Sequence, residues 1–404
     1  MHNDQRNQAS AGWGTILIIY LLGVFAASSI SQVVPIVGDI ARFFHAPRQQ
    51  VGWVISVPSA IVAIGALMIG FVVDRVGDKP LILVGAILLI LGDIGAVLAD
   101  SMNVLLLMRV IEGVGYAFVA VSTVTMIARV TTGKRRVTAL TLWSSFIPMS
   151  FAIPLALAAL LAGTGHWRWA FSGHAIVMLI LGIAAFWLPG REQEASQARS
   201  AGLGAVLRTP ACWALGASFA AAAFVQTGIV STLPQMLSSR YGLSVGMASS
   251  VGTIGMLCNV IGCLAMGRLL NRGLSRMMLA LGSVILTMLA GLGMYLPGMP
   301  VGLTVFLALL FFLASGLLVG LWALLPAVAP TPASRGAASG LVTQVTIWGV
   351  LFGPPAAFAA HADGGGAREM SNILIALLLC ALMLWVVIRR TGTRFESMDP
   401  ATGH

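Results

Sequence analysis

Charge is scarce in this 404-residue chain. Only 9% of its residues are Asp, Glu, Lys or Arg, where a soluble domain carries roughly a quarter. Acid is scarcer than base, 13 residues against 23, and none occurs between Ala211 and Ala362. A chain so poor in charge cannot keep 58% hydrophobic residues in water, which argues against a soluble enzyme or a nucleic-acid-binding domain despite the net charge of +10. Cysteine is sparse too. Cys212, Cys258, Cys263 and Cys380 all lie in apolar runs and offer no disulfide framework. No metal-ligand spacing, phosphate-cradling loop or nucleophile constellation stands out, so no enzyme, metal site or cofactor is expected.

What the chain has in abundance is apolar runs of about 20 residues, each long enough to cross about 30 Å of hydrocarbon. Twelve spans are expected, at 15–38, 51–73, 81–99, 103–128, 138–162, 169–188, 211–234, 245–270, 276–296, 301–328, 335–360 and 370–388. The fold class that follows is all-α: twelve transmembrane helices in two pseudo-symmetric six-helix bundles, at 15–188 and 211–388. A tail at 1–14, a linker at 189–210 and a tail at 389–404 complete the chain. The first run is too long for a signal-peptide core and is expected to be retained as a span. With these spans, 17 of the 23 Lys and Arg face one side and five (Arg42, Arg48, Arg168, Arg240 and Arg368) face the other. That bias places both termini and the linker in the cytoplasm of a cell with the protein in its inner membrane.

The hairpin between spans 2 and 3 reads Gly70-Phe-Val-Val-Asp74-Arg75-Val-Gly77-Asp78-Lys79-Pro80. A carboxylate at the end of span 2 meets the negative end of its own helix dipole, so it needs a cation or another helix's N-terminus to answer it. Gly267-Arg268-Leu-Leu-Asn271-Arg272-Gly273 after span 8 echoes this hairpin, with Asn in place of Asp and one residue fewer. Spans 5 and 11 also correspond: each opens on an arginine, Arg136 and Arg335, and carries a proline about 18 residues later, Pro154 and Pro354.

The 70–80 spacing resembles the signature loop of the major facilitator superfamily. The resemblance covers nearly the whole chain, and it implies a transporter whose two halves rock about a central substrate site. It implies a cytoplasmic gate built from Gly70, Asp74, Arg75, Gly77, Asp78 and Lys79. Leu105-Leu-Leu-Met-Arg109-Val-Ile-Glu112-Gly113-Val-Gly115 resembles the family's helix 4 motif, whose Arg is tied to proton handling in proton-coupled members; Glu112 stands where Gln is usual.

Three ionisable residues lie well inside spans, where each is costly and therefore a functional candidate: Asp93, Arg109 and Glu112. Asp93 and Arg109 are each eight residues from Ser101, about 12 Å below the periplasmic surface at 1.5 Å per residue, and neighbouring helices can bring them together as an ion pair. Arg109, Glu112, Tyr116 and Thr123 form one stripe on span 4, and such a stripe most economically lines a wet cavity. Glu112, with Asp93, is the expected proton carrier, and Arg109 either tunes it or binds an anionic substrate. His174, near the start of span 6, is expected to be structural.

Spans 1, 4, 7 and 10 line the cavity in the family, helped by 2, 5, 8 and 11. The substrate contacts expected are Phe25, Ser29 and Gln32 in span 1, Tyr116 in span 4, Phe219 and Gln226 in span 7, Asn259 in span 8, Trp322 in span 10, and Gln344 with Trp348 in span 11. Amides, hydroxyls and tryptophans carry no fixed charge and suit a neutral, weakly charged or aromatic solute. The loop His166-Trp167-Arg168-Trp169-Ala-Phe171 resembles what precedes helix 6 in multidrug-type members, whereas span 5 lacks their glycine-rich run. The expected function is secondary transport of a small organic solute, proton-coupled, by alternating access. Export is favoured; the alternatives are uptake of a small anion bound by Arg109 and a non-transporting sensor or scaffold. The partners expected are that solute, protons and the lipid bilayer, with no nucleic acid, and the protein is expected to be a monomer.

Overall fold

The computed structural model describes residues 11–33, 36–45, 48–161, 166–190, 202–362 and 366–396. Residues 191–201 of the linker and the outer parts of both expected tails lie outside the described residues. Twelve helices are long and apolar enough to cross a membrane: Trp13–Ser31, Ser56–Val76, Asp78–Val97, Met102–Val130, Gly133–Pro154, Arg168–Ala185, Pro210–Leu233, Ser250–Asn271, Arg276–Met294, Val301–Val328, Pro332–Ala357 and Gly366–Thr391. They are called spans 1 to 12. All twelve expected spans are present, and no strand occurs among the described residues.

Proline explains where the spans break. Span 5 is two helices, Gly133–Ser144 and Phe146–Leu161, interrupted at Ser145. Pro148 has no N–H for the Ser144 carbonyl four residues back, and its ring clashes with that carbonyl. Pro154 leaves the Ser150 carbonyl free in the same way, and the Ser31 hydroxyl of span 1 donates to it at 2.6 Å. Span 10 tightens into a 3-10 stretch, Gly320–Leu324, just before Pro326. Span 1 is shorter than the sequence suggests: it ends at Ser31, and a separate short helix follows, Val37–Phe44.

The halves meet most closely where span 2 packs on span 11 and span 5 on span 8. The first seam is made of glycines. A β-carbon on Gly70 would fall on the Gly336 carbonyl, and one on Gly340 would fall on the Ala66 carbonyl, so the two backbones touch directly. Between them Gln344 accepts from the Leu67 N–H at 2.9 Å. The second seam is looser and polar: Gly267 lies against Thr141, and the Asn271 amide donates to the Thr138 hydroxyl at 2.7 Å. Both seams sit at the face carrying the 70–80 hairpin, here called the basic face. The protein is closed on that side.

Backbone contact of this kind tolerates no side chain. Gly70→Ala and Gly340→Ala should each wedge spans 2 and 11 apart. Oxidative cross-linking of cysteines placed across this seam should then fall several-fold, while the same pair across the span 5–span 8 seam should be affected less. Unchanged cross-linking at the first seam would show that the closed basic face does not depend on these glycines.

Candidate functional site

Arg109 lies in span 4 with no solvent exposure, so every donor it carries must find an acceptor inside the protein. Two of those acceptors are carbonyls left spare by local sequence. Pro58 in span 2 cannot bond the Val54 carbonyl four residues back, and Arg109 Nε donates to that carbonyl at 2.8 Å. Span 1 ends at Ser31, so the Ser29 carbonyl in its last turn has no helical partner, and Arg109 Nη2 donates to it at 2.6 Å. A cation at a helix C-terminus is also favoured by the dipole. Nη1 pairs with Glu112, three residues on along the same helix.

Glu112 is as deeply buried as Arg109, and its Oε1 has no hydrogen-bond partner. Its side chain fits only because position 92 of span 3 is glycine: a β-carbon there would lie on Glu112 Cγ. Gly113 beside it lets span 4 lie against Pro58 of span 2. Asp93, also fully buried, takes a different partner from the one expected. It does not pair with Arg109; His174 Nδ1 of span 6 meets its Oδ2 at 2.6 Å, and Gln32 Nε2 donates to its Oδ1 at 3.3 Å. His174 Nε2 meets the Phe25 carbonyl of span 1 at 2.6 Å.

These contacts correct several expectations. The polar stripe of span 4 does not line an open cavity, because Arg109, Glu112, Tyr116 and Thr123 are all buried. Arg109 is committed to two carbonyls and a carboxylate and has no exposed edge for an anionic substrate. Phe25 and Gln32 belong to the charged cluster through a carbonyl and an amide, and the Ser29 hydroxyl is spent on the Ala26 carbonyl of its own helix at 2.8 Å. Asn259 faces away from the seam of the halves: its amide donates to the Phe312 carbonyl and the Ser315 hydroxyl, and Gly316 packs on its backbone. Gln344 serves the span 2–span 11 seam. Trp348 is 40% exposed and stacks on Phe352, apart from the other aromatic candidates.

Phe219 and Trp322 do come together. Their rings stack at 5.0 Å, and Trp322 meets Trp143 of span 5 edge-on at 5.4 Å, with Phe146 4.3 Å from Trp143. The Trp143 indole donates to the Thr123 hydroxyl of span 4 at 3.2 Å. This buried aromatic cluster joins spans 4, 5, 7 and 10, and hence the two halves, about 15 Å into span 5 from its start. Tyr20 of span 1 hydrogen-bonds Ser145 beside it at 2.9 Å. Gln226 is nearly buried, two turns beyond Phe219 on span 7. Trp143 and Phe146 were not among the expected contacts; the break that Pro148 imposes next to them was the available signal.

The 70–80 hairpin splits its labour. Asp74 accepts from the backbone N–H groups of Gly336 at 2.9 Å and Ala337 at 2.8 Å, the N-terminus of the helix Arg335–Ala362 in the other half. Asp78 stays within its own half, gripped by Arg129 Nε at 2.8 Å and Nη2 at 2.9 Å. Gly77 turns the chain at φ +100°, where only glycine is comfortable, and Lys79 donates to the Phe186 carbonyl at 2.7 Å. Arg75 is exposed and lies over the Phe71 ring at 4.3 Å; it does not bridge the halves. Near the opposite face, Arg168 donates to the Val97 and Ala99 carbonyls at the end of span 3, so the His166–Phe171 segment acts there as a helix cap.

A family profile described as Major Facilitator Superfamily matches residues 16–354. The chain belongs to that superfamily. It is 25% identical to the 3-(3-hydroxy-phenyl)propionate transporter of Escherichia coli K12 over 93% of this chain and 94% of that protein. It is 26% identical to multidrug resistance protein 2 of Bacillus subtilis strain 168, over 43% of this chain and 44% of that one. Among solved structures, the superfamily's proton:xylose symporter XylE, bound to 6-bromo-6-deoxy-D-glucose, superposes with a TM-score of 0.77 at 15% identity, over 93% of this chain and 95% of that one. The fold is therefore that of a multi-pass membrane transporter with twelve spanning helices in two six-helix bundles.

Pro58 gives a direct check on the Arg109 site. Pro58→Ala lets the Val54 carbonyl bond its own helix, in competition with the guanidinium. Thermal stability should be unchanged or slightly raised, whereas the pH profile of transport should shift. An unaltered profile would mean that the freed carbonyl is incidental. Gly92→Ala should be worse, displacing Glu112 and lowering stability by about 1–3 kcal/mol through overpacking.

Proposed function

We propose that the protein is a proton-coupled secondary transporter of a small aromatic solute, neutral or weakly acidic, working by alternating access. One observation carries this reading: span 1 is bonded to the buried charged cluster of Asp93, Arg109, Glu112 and His174, and it also hydrogen-bonds Ser145 and packs at Gly23 against Trp143 of the aromatic cluster between the halves. Four ionisable groups buried together in a membrane protein are costly unless they work, and proton exchange is the work their chemistry suits. The aromatic cluster has rings, hydroxyls and a nearby glutamine and no fixed charge, so it favours stacking and hydrogen bonding over ion pairing.

The solute class is supported by the whole-chain relative, whose name specifies a hydroxylated aromatic acid. Taking a proton together with a weak acid keeps the loaded carrier from adding net charge to a low-dielectric interior, which favours symport inward. Export by proton antiport is the second reading, supported by the Bacillus subtilis multidrug resistance protein, which matches less than half of the chain. In either case Asp74 and Gly336–Ala337 would form the gate on the basic face, which the charge bias assigns to the cytoplasm of an inner-membrane protein.

Reconstitution in liposomes with a pH-sensitive dye tests this, across 3-(3-hydroxyphenyl)propionate, simple phenols, amphipathic cations and hexoses. Symport predicts that aromatic acids or phenols accumulate several-fold when the side they enter from is made acidic, and that a protonophore abolishes the effect. Cations that discharge an opposite gradient would favour export. Transport that ignores both gradient and protonophore would end the proton-coupled reading. Glu112→Gln should abolish gradient-driven transport with expression intact, and full coupled transport in that variant would remove Glu112 from the mechanism.

A further inference from the structure

His174 is held by two acceptors at once. Nε2 lies 2.6 Å from the Phe25 carbonyl and Nδ1 lies 2.6 Å from Asp93 Oδ2, and the ring is almost wholly buried. A backbone carbonyl only accepts, so the first contact requires a proton on Nε2. The second contact needs a proton as well, on Nδ1 or on the carboxyl oxygen. A neutral imidazole facing a carboxylate has one proton for two such contacts. The Nε2–H tautomer sets two lone pairs against each other at Asp93; the Nδ1–H tautomer does so at Phe25. The arrangement therefore holds one proton more than neutral histidine and ionised aspartate possess together.

The surroundings of this proton can be named. Span 1 faces His174 with the Phe25 carbonyl and reaches Asp93 with the Gln32 amide; span 3 contributes Asp93; span 4 contributes Glu112 and, beyond it, Arg109 paired to Glu112. With the extra proton present, the His174–Asp93 pair carries no net charge. Its loss, from imidazolium plus carboxylate to neutral imidazole, carboxylate and a released proton, leaves the pair at minus one and breaks one of the two ties.

We propose that His174 is a coupling residue of this transporter: it shares one exchangeable proton with Asp93, and loss of that proton uncouples span 6 from span 1 or from span 3. This rests on the proton-coupled reading above and assigns that reading's proton to a pair of residues on spans 3 and 6. The mechanical consequence falls on span 1. Phe25 is two residues from Gly23, which lies against the Trp143 indole, and five residues from Tyr20, which bonds Ser145. Release of the Phe25 carbonyl thus removes one of the ties on the helix that reaches the aromatic cluster, leaving those at Ser29, Ser31 and Gln32.

The test has a spectroscopic arm and a transport arm. In the full-length protein labelled with nitrogen-15 histidine and placed in lipid nanodiscs, His174 is assigned by the resonances missing from His174→Gln. The expected result at pH 6 to 7 is a strongly deshielded proton shared with Nδ1, lost at higher pH and absent from Asp93→Asn. A neutral ring at pH 6 with no proton shared with Asp93 overturns the proposal. In liposomes with 3-(3-hydroxyphenyl)propionate and phenols as probes, His174→Gln should lose gradient-driven accumulation at least tenfold while keeping solute exchange at equal pH. A merely structural histidine would lose both together, and full accumulation in His174→Gln overturns the proposal. Wild-type transport indifferent to the gradient would instead defeat the proton-coupled reading itself, and the coupling role of His174 with it.

Discussion

A guanidinium buried among hydrocarbon side chains has to be received by oxygen atoms, and much of the first half is arranged around supplying them to Arg109. The usual source, water, is missing from a residue with no exposed surface. Backbone carbonyls within helices are normally committed, so the acceptors must come from helices that are locally incomplete. Pro58 makes span 2 incomplete at Val54, and the end of span 1 makes it incomplete at Ser29. Each defect would be a liability alone. Meeting at one cation, they fix the relative positions of spans 1, 2 and 4, and Glu112 balances the charge that remains.

The same economy appears at the basic face, where the problem is a carboxylate at the wrong end of its own helix. Asp74 is answered by two N–H groups in the first turn of a helix in the other half, worth on the order of 1–2 kcal/mol in a partly buried setting. The repeat at Asn271 takes the equivalent place without the charge. Its amide reaches one hydroxyl, and its carbonyl oxygen is buried without a partner. The two seams are related by sequence yet unequal in strength: one is an ionic bond to a helix terminus on glycine-to-glycine contact, the other is held at this position by a neutral hydrogen bond. On the alternating-access reading proposed above, opening on the basic face has to break the first, the stronger of the two.

Features written in composition and local spacing were legible before the structure. Apolar runs near 20 residues gave twelve spans because hydrocarbon thickness leaves little latitude in their length. The 70–80 hairpin was recognisable because a tight charged turn between two spans admits few sequences, and Asp74 needed a helix N-terminus, which it found. Pairing across helices was a different matter. Eight-residue offsets from Ser101 put Asp93 and Arg109 at one depth, but depth says nothing about the angle at which each helix presents its side chain. Arg109 took the carboxylate one turn away on its own helix, and Asp93 turned to span 6. Asn259 and Gln344 misled for the same reason: an amide in a membrane helix is equally at home in a cavity or between two helices. His174 was placed only near the start of span 6; that it meets both Asp93 and the Phe25 carbonyl depends on the same unseen angles.

Span 1 is where these separate economies become one machine. Over its last two turns it lends Arg109 the Ser29 carbonyl, His174 the Phe25 carbonyl and Asp93 the Gln32 amide. Five residues before Phe25, about 7 Å along the helix at 1.5 Å per residue, it bonds Ser145 through Tyr20, and Gly23 between them lets Trp143 approach. A helix bonded to charge in its last turns and to the aromatic seam at its middle cannot shift at one without disturbing the other, because its own backbone ladder is stiffer than either set of side-chain contacts. Such a connection is a physical one, made of named bonds. On the proton-coupled reading proposed above, the buried charges need no contact with the solute, because the helix between them carries the change from one cluster to the other.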